Sequence, residues 1–164
     1  MSQPGLVLKS SSSESTREIG SIIASVCHPG DVIALSGDLG AGKTTLTQGI
    51  AKGLGIDESV TSPTFVLIKH YSGDRVGLTH IDLYRLESEE EALALDLDEL
   101  FYGDSVVVVE WPDRFMSVFP DQYLLLTISY SGLDERVVEV TGVGQRGDEL
   151  VEKLRELFSG SQYL

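Results

Sequence analysis

A strand, a glycine-rich loop and a helix follow one another in Asp31–Leu54, and this succession constrains the fold more than any other part of the chain. The segment reads DVIALSGDLGAGKTTLTQGIAKGL. The apolar run Val32–Leu35 is typical of a buried strand, and apolar residues recur at helical spacing in Thr45–Leu54. Between them, Gly37–Thr44 fits the phosphate-binding loop (P-loop) pattern G-x-x-x-x-G-K-S/T. Its position between strand and helix favours a nucleotide-binding loop over a chance glycine-rich turn.

The residue types of this loop suit a polyphosphate. Backbone N–H groups must approach the phosphates closely, and the glycines lack the Cβ atoms that would obstruct them. The helix that follows presents its unpaired N-terminal N–H groups to the same place. Lys43 can reach the β- and γ-phosphates, and the Thr44 hydroxyl can bind Mg²⁺. The predicted nucleotide-binding residues of the loop are Gly37, Asp38, Leu39, Gly40, Ala41, Gly42, Lys43, Thr44 and, at the α-phosphate, Thr45.

The balance of charge restricts the partners that the chain can hold directly. Its formal net charge is −14, with 12 scattered Lys and Arg residues against 26 Asp and Glu residues. Binding to a nucleic-acid backbone needs a basic face, so direct, tight nucleic-acid binding by this chain alone is disfavoured. An acidic surface is compatible with simple solubility and with docking on a basic protein.

Length and composition predict one globular domain over residues 1–164. Residues 1–13 are expected to be partly mobile, with the serine run Ser10–Ser13 forming a loop. No signal sequence and no apolar run of membrane-spanning length is visible, so we expect a cytoplasmic protein without membrane association. Cys27 is the only cysteine, which excludes an internal disulfide and favours a small core residue.

Hydrophobic patterning predicts the remaining elements. Helices are expected over Glu14–Cys27, Ser88–Leu100 and Asp148–Phe158, with a helical turn at Arg114–Phe119. Strands are expected over Phe65–Tyr71, Val76–Asp82, Val106–Val109, Tyr123–Tyr130 and Arg136–Thr141. Turns at 72–75 and 131–134 would make two hairpins. The combination predicts an α/β protein with the three-layer P-loop NTPase fold, in which helices flank a mixed, partly parallel central sheet.

Carboxylates at the ends of two predicted strands are candidates for metal binding and catalysis. P-loop proteins that hydrolyse or transfer phosphate usually carry such a group near Mg²⁺, and Glu110 directly follows the valine run Val106–Val109. Asp82 ends another strand, and His80, two residues earlier on the same face, is a candidate for a supporting position behind the site. A water-exposed acid at Glu110 and a structural role for His80 are the open alternatives.

Four further residues have weaker signals. Thr61 lies in the loop after the P-loop helix, where nucleotide-binding proteins often carry a switch threonine. Trp111, the only tryptophan, is either a core or rim aromatic or a ring that faces a substrate or partner. Arg114 and Arg136 are candidate phosphate or base contacts, or ordinary surface arginines. The chain has no N-K-x-D motif and no arginine-rich lid, which disfavours a Ras-type GTPase and a nucleotide kinase.

Four segments together resemble the TsaE (YjeE-like) family of P-loop ATPases of bacterial tRNA modification. They are PGDVIALSGDLGAGKTT at 29–45, TSPTF at 61–65, HIDLYRL at 80–86 and VEWP at 109–112. The P-loop is common to many families, whereas the four segments in this order and spacing are specific. The resemblance covers most of the chain.

The resemblance implies an Mg²⁺-dependent ATPase that is needed for the formation of threonylcarbamoyladenosine from the adenosine next to the tRNA anticodon. Proteins of this family do not perform the transfer; they bind the TsaD–TsaB pair, their ATPase supports its turnover, and tRNA is contacted only indirectly. By analogy, Lys43, Thr44 and Thr45 hold the nucleotide, and Thr44 and Glu110 hold Mg²⁺. The resemblance also implies catalytic roles for Asp82, Glu110, Lys43 and the switch-like Thr61, with Trp111, Arg114 and Arg136 beside the nucleotide and Ser12–Ser13 near its base.

Two other functions use the same loop. A small-molecule kinase would employ Asp82 or Glu110 as its base. A nucleotide-gated binding module would hydrolyse ATP only incidentally. For the ATPase, no built-in arginine finger is evident, so we expect slow intrinsic hydrolysis that a partner accelerates.

Overall fold

The structure is a computed structural model that describes residues 4–62 and 67–164. Its strands are β1 (Leu6–Ser10), β2 (Val32–Ser36), β3 (Ile68–Tyr71), β4 (Gly77–Asp82), β5 (Ser105–Glu110), β6 (Tyr123–Tyr130) and β7 (Arg136–Val143). Its helices are α1 (Ser13–Ser25), α2 (Lys43–Gly53), α3 (Glu89–Leu93), α4 (Leu97–Phe101) and α5 (Gly144–Phe158), with a 3-10 turn at Met116–Val118. Within the described ranges, every helix is too short or too polar to cross a lipid bilayer.

The strands form one mixed sheet in the order β1-β7-β6-β2-β5-β4-β3. Strand β2 lies between β5 and β6 and is parallel to both, and β4 is parallel to β5. Strands β3, β7 and β1 pair antiparallel with their neighbours toward the two edges. Strand β2 is central and parallel to both neighbours, so the P-loop that follows it lies at the carboxyl ends of the parallel strands, near the middle of the sheet. This is where α/β proteins bind ligands.

Helices cover both faces of this sheet. One apolar cluster joins the sheet to α1, α2 and α5, and a second joins its other face to α3 and α4. Helices α1 and α2 contact each other through glycines, since a Cβ atom at Gly20 would lie only 2.5 Å from the Leu46 carbonyl oxygen. A Cβ atom at Gly49 would overlap the Arg17 carbonyl group. The predicted three-layer α/β fold is thereby confirmed.

The loop expected over Ser10–Ser13 is shorter in the structure, where Ser11 and Ser12 connect β1 to α1. Ser10 ends β1, which pairs with β7 and buries Leu6 and Leu8. Ser12 caps α1, because its hydroxyl accepts a hydrogen bond from the Ser15 N–H and the Ser15 hydroxyl accepts one from the Ser12 N–H. Part of the segment that was expected to be mobile is therefore an edge strand, and Ser12–Ser13 starts a helix.

The single helix expected over Ser88–Leu100 is wrong. The structure has two short helices there, separated at Asp96, whose φ angle of 51° lies in the left-handed region. Ala92 and Leu97 are both buried against the sheet. Residues five apart on a straight helix point about 140° apart, so the break allows both side chains to face the core.

The other predicted elements agree with the structure to within a few residues. The two hairpins are confirmed by the antiparallel pairs β3–β4 and β6–β7. The helical turn expected within Arg114–Phe119 is the 3-10 turn at Met116–Val118. The first two residues of the strand expected at Phe65–Tyr71 lie outside the described residues.

Candidate nucleotide-binding site

The P-loop folds back on itself between β2 and α2. Gly40 and Gly42 have φ angles of 80° and 112°, in the left-handed region that favours glycine. Gly42 is the residue that precedes α2, so the first N–H groups of the helix have no side chain there to cap them and face the loop. The sequence therefore builds a small cradle of N–H groups for an anion.

A groove of about 400 Å³ lies over this cradle. The predicted residues that line it are Leu39, Gly40, Gly42, Lys43, Thr44, Thr45, Asp82, Glu110 and Trp111. Ser62 and Tyr84 also line it, and the sequence analysis did not single them out. Thr61, next to Ser62, is exposed, and its switch role stays a prediction.

Lys43 is held by its own loop and by an aromatic ring. Its ammonium donates hydrogen bonds to the carbonyl oxygens of Gly37 (2.5 Å) and Asp38 (2.9 Å) and lies 3.8 Å from the centre of the Trp111 ring. Burial lowers the pKa of the Lys43 ammonium from its ordinary value, and the negative charge of Glu110 opposes this shift. A phosphate group would supply the negative partner that these neutral contacts lack.

The two candidate carboxylates lie side by side. Asp82 and Glu110 end the parallel strands β4 and β5 and are partners in the register of that pair. Asp82 accepts hydrogen bonds from the Ser62 hydroxyl and the Tyr84 N–H, each 2.9 Å long. Glu110 contacts His80 and is 2% exposed, so the alternative of a water-exposed acid at this position is wrong.

The oxygen atoms at this groove fit Mg²⁺. The Thr44 hydroxyl and the carboxylates of Asp82 and Glu110 are hard donors of the kind that this ion prefers. Among the residues that the structure describes, no cluster of three or more His, Cys, Asp or Glu side chains is arranged to hold a metal by itself. This arrangement suits an ion shared between nucleotide phosphates and one or two protein oxygens.

Trp111 and Tyr84 form a wall between this groove and a second cavity. Their ring centres are 4.9 Å apart, and both rings line both spaces. Trp111 has a φ angle of 59°, which is rare for a residue with a side chain and is maintained only where its surroundings hold it. The second cavity has a volume of about 730 Å³ and includes Asp113 and Arg114.

The two predicted arginines contact backbone. Arg136 donates from Nε to the Ala41 carbonyl oxygen at 2.8 Å, and its guanidinium lies 4.2 Å from the Tyr130 ring centre. Tyr130 in turn donates its hydroxyl to the Gly40 carbonyl oxygen at 2.5 Å. Arg114 donates to the Leu86 carbonyl oxygen in the second cavity. Direct nucleotide contact by either arginine stays a prediction.

Comparisons with known proteins decide the family. The family model described as "Threonylcarbamoyl adenosine biosynthesis protein TsaE" matches residues 10–138. The tRNA threonylcarbamoyladenosine biosynthesis protein TsaE of Bacillus subtilis is 46% identical over 141 residues, which cover 86% of this chain and 88% of that protein. The chain belongs to the TsaE family. The Nostoc TsaE protein is 43% identical over 132 residues, covering 78% of this chain and 80% of that one.

A solved structure agrees with this membership. The crystal structure of Bacillus subtilis YdiB superposes with a TM-score of 0.81 at 39% identity, covering 93% of this chain and 95% of that one. The resemblance drawn from the four sequence segments is thus confirmed. All four segments lie inside the range that the TsaE family model matches, whereas helix α5 lies beyond it.

Proposed function

We propose that this TsaE-family protein binds ATP with Mg²⁺ in the P-loop groove and hydrolyses it. The hydrolysis would serve, as an accessory step, the threonylcarbamoyladenosine modification of tRNA next to the anticodon. One observation carries the proposal. A P-loop lysine, a threonine in the first turn of α2 and two buried carboxylates from adjacent parallel strands meet at one groove, namely Lys43, Thr44, Asp82 and Glu110.

Each of these residues has a distinct task in the proposal. Lys43 would exchange the carbonyl oxygens of its own loop for the β- and γ-phosphates. Thr44 and Glu110 would hold Mg²⁺, which when bound neutralises charge on those phosphates. Asp82 is oriented by the Ser62 hydroxyl and the Tyr84 N–H and would accept a proton from, or orient, the attacking water.

The proposed partners are the TsaD–TsaB pair, with tRNA reached only through them. Two properties of the chain support a role that depends on partner proteins. The net charge of −14 disfavours a direct grip on the tRNA backbone. Arg114 and Arg136 both donate to backbone carbonyl groups, which is consistent with slow hydrolysis by the protein alone. The proposed preference for ATP over GTP rests on the family resemblance and on the missing N-K-x-D motif.

Steady-state ATP hydrolysis with Mg²⁺, measured with and without purified TsaD–TsaB, tests this function. We expect the pair to change the hydrolysis rate or the nucleotide affinity, and Lys43→Ala to abolish the effect. Lys52→Ala is the matched control, because Lys52 lies exposed in the last turn of the same helix. A rate and an affinity that are both indifferent to TsaD–TsaB would contradict the accessory role.

A small-molecule kinase is the second candidate, and the cavity behind Tyr84 and Trp111 favours it. This space adjoins the groove near Lys43, where an acceptor could meet the terminal phosphate. The kinase hypothesis predicts that a metabolite stimulates ATP turnover in the absence of any protein partner. The kinase hypothesis would be excluded if no metabolite in a screen stimulated ATP turnover while TsaD–TsaB did.

Asp82→Asn separates hydrolysis from nucleotide-gated binding. Loss of a general base typically lowers a rate by about a hundredfold or more, while ADP affinity should change by less than about threefold. Calorimetry and a phosphate-release assay measure the two quantities. If the variant is inactive in hydrolysis and still supports tRNA modification in cells, hydrolysis is incidental and the protein acts as a gated binding module.

A further inference from the structure

A buried histidine contacts the candidate metal-binding carboxylate. The side chain of His80 is completely buried, and its Nε2 atom lies 2.5 Å from Oε2 of Glu110. His80 pairs in register with Val108, and Asp82 pairs with Glu110, so histidine and glutamate are diagonal neighbours on adjacent parallel strands. Since side chains alternate along a strand, all of these side chains belong to the face of the sheet that α2 covers.

In the part of the chain that the structure describes, the second nitrogen of the same ring makes no hydrogen bond that would explain a histidine at this position. His80 Nδ1 is buried and has no hydrogen-bond partner among the described residues. A carboxylate can only accept a hydrogen bond, so the hydrogen bond between His80 and Glu110 assigns the ring proton to Nε2. A buried polar atom without a partner destabilises a fold. An apolar residue would avoid that penalty, so what distinguishes histidine here is the bond made by Nε2.

We propose that His80 is a positioning residue for the phosphate site. Its Nε2–H holds Oε2 of Glu110 and thereby fixes the side-chain rotamer of the glutamate, which leaves Oε1 to face an ion in the groove. Groups behind a metal ligand commonly orient it in this way. The inference rests on the proposed function, because it assumes that Glu110 holds Mg²⁺ with the nucleotide.

Binding of ADP, titrated by calorimetry at increasing Mg²⁺ concentrations and also in EDTA, tests the inference. We expect His80→Leu to raise the Mg²⁺ concentration for half-maximal effect by about tenfold. ADP affinity in EDTA should stay within about twofold of wild type, because the P-loop is untouched. A loss of affinity in EDTA as large as that with Mg²⁺ would show a general structural effect and overturn the proposal.

Two conservative variants distinguish positioning from mere filling of the core. The amide nitrogen of His80→Gln can stand near the position of Nε2, whereas that of His80→Asn stands near Nδ1. We expect the Mg²⁺ concentration for half-maximal effect to be close to the wild-type value in His80→Gln and raised in His80→Asn about as much as in His80→Leu. A value for His80→Gln as high as that for His80→Leu would overturn the proposal.

Glu110→Gln separates this inference from the proposed function. If Glu110→Gln impairs Mg²⁺ dependence and His80→Leu does not, the positioning role fails and the metal role of Glu110 stands. If neither variant impairs it, the proposed metal site itself fails. Nitrogen-15 NMR of the wild-type protein provides a reading that needs no variant: we expect a proton on Nε2 of His80, and a proton on Nδ1 alone would overturn the proposal.

Discussion

The Lys43 ammonium lies 3.8 Å from the centre of the Trp111 ring, although the two residues come from different elements of the fold. Lys43 begins the helix after the P-loop, and Trp111 directly follows strand β5. An ammonium over an indole ring is an attractive contact. The lysine that is proposed to contact the phosphates is therefore held beside the carboxyl end of β5. We expect nucleotide binding to alter this contact.

Tryptophan fluorescence should report this change. Trp111 is the only tryptophan of the chain, so its emission should change saturably as ADP and Mg²⁺ are added. Lys43→Ala should weaken ADP binding by about tenfold or more, because charge-assisted hydrogen bonds to phosphate are lost, and should remove the signal at the same ADP concentrations. Lys52→Ala should keep both. If calorimetry detects ADP binding and the Trp111 emission does not change, the proposed change in the contact between Lys43 and Trp111 is contradicted.

Arg136 and Tyr130 should support nucleotide binding from behind the P-loop. Arg136→Leu removes the hydrogen bond to the Ala41 carbonyl oxygen and should weaken ADP affinity about tenfold, measured by calorimetry. Tyr130→Phe removes only the bond to Gly40 and should cost about threefold. Arg136→Lys should not restore affinity, because an ammonium does not reproduce the guanidinium geometry. Arg17→Leu is the control, because Arg17 is exposed. An equal loss of ADP affinity in all variants would contradict a specific role of Arg136 and Tyr130 in supporting the P-loop.

The contact between α1 and α2 should tolerate no side chain at Gly49. A Cβ atom there would overlap the Arg17 carbonyl group, so Gly49→Ala should lower the free energy of unfolding by at least about 1 kcal/mol. Alanine favours a helix over glycine by about 1 kcal/mol, so any net loss must come from the overlap. Urea unfolding measures it, with Lys52→Ala as the exposed control on the same helix. If Gly49→Ala is more stable than wild type, α1 and α2 can move apart at little cost and the predicted overlap is contradicted.

The ion pair between Arg146 and Asp31 should stabilise the end of the sheet opposite the P-loop. Arg146 donates two hydrogen bonds to Asp31, at 2.8 Å from Nε and 2.7 Å from Nη2, and the Asp31 side chain is only 6% exposed. Arg146→Met would leave a buried carboxylate without its cationic partner, with the hydrogen bond from the His28 N–H still in place, and should lower the free energy of unfolding by about 3 kcal/mol.

The control for this pair is an exposed one. Glu152→Gln breaks the Glu152–Arg155 pair on α5, whose side chains are 68% and 48% exposed, and should cost less than about 1 kcal/mol. The hydrogen bonds that Arg146 donates to Asp31 raise the pKa of Arg146, which is charged far above neutral pH in any case. Titration of Arg146 itself should therefore add no pH dependence to the stability of the protein across the neutral range. A loss from Arg146→Met no larger than the loss from Glu152→Gln would contradict the assignment.

Elements with strong local patterns could be predicted, and elements that depend on distant partners could not. The valine run Val106–Val109 and the P-loop strand are buried strands as expected, because each is apolar throughout. Strand β1 was missed, since its five residues become a strand only through hydrogen bonds to β7 at the other end of the chain. The break at Asp96 was missed because helix-forming residues surround it and the demand for burial comes from the sheet.

The candidate site divides in the same way. The P-loop and the family could be predicted from the sequence, because the residues of a phosphate-binding loop are consecutive in the chain and form a recognisable motif. The sequence also marked Asp82 and Glu110 as strand-end carboxylates. Three contacts became known only from the folded structure: His80 with Glu110, Trp111 with Lys43, and Arg136 with the carbonyl group of Ala41 in the loop. These contacts join residues 30 to 95 positions apart, so they depend on strand register and packing, which no local pattern records.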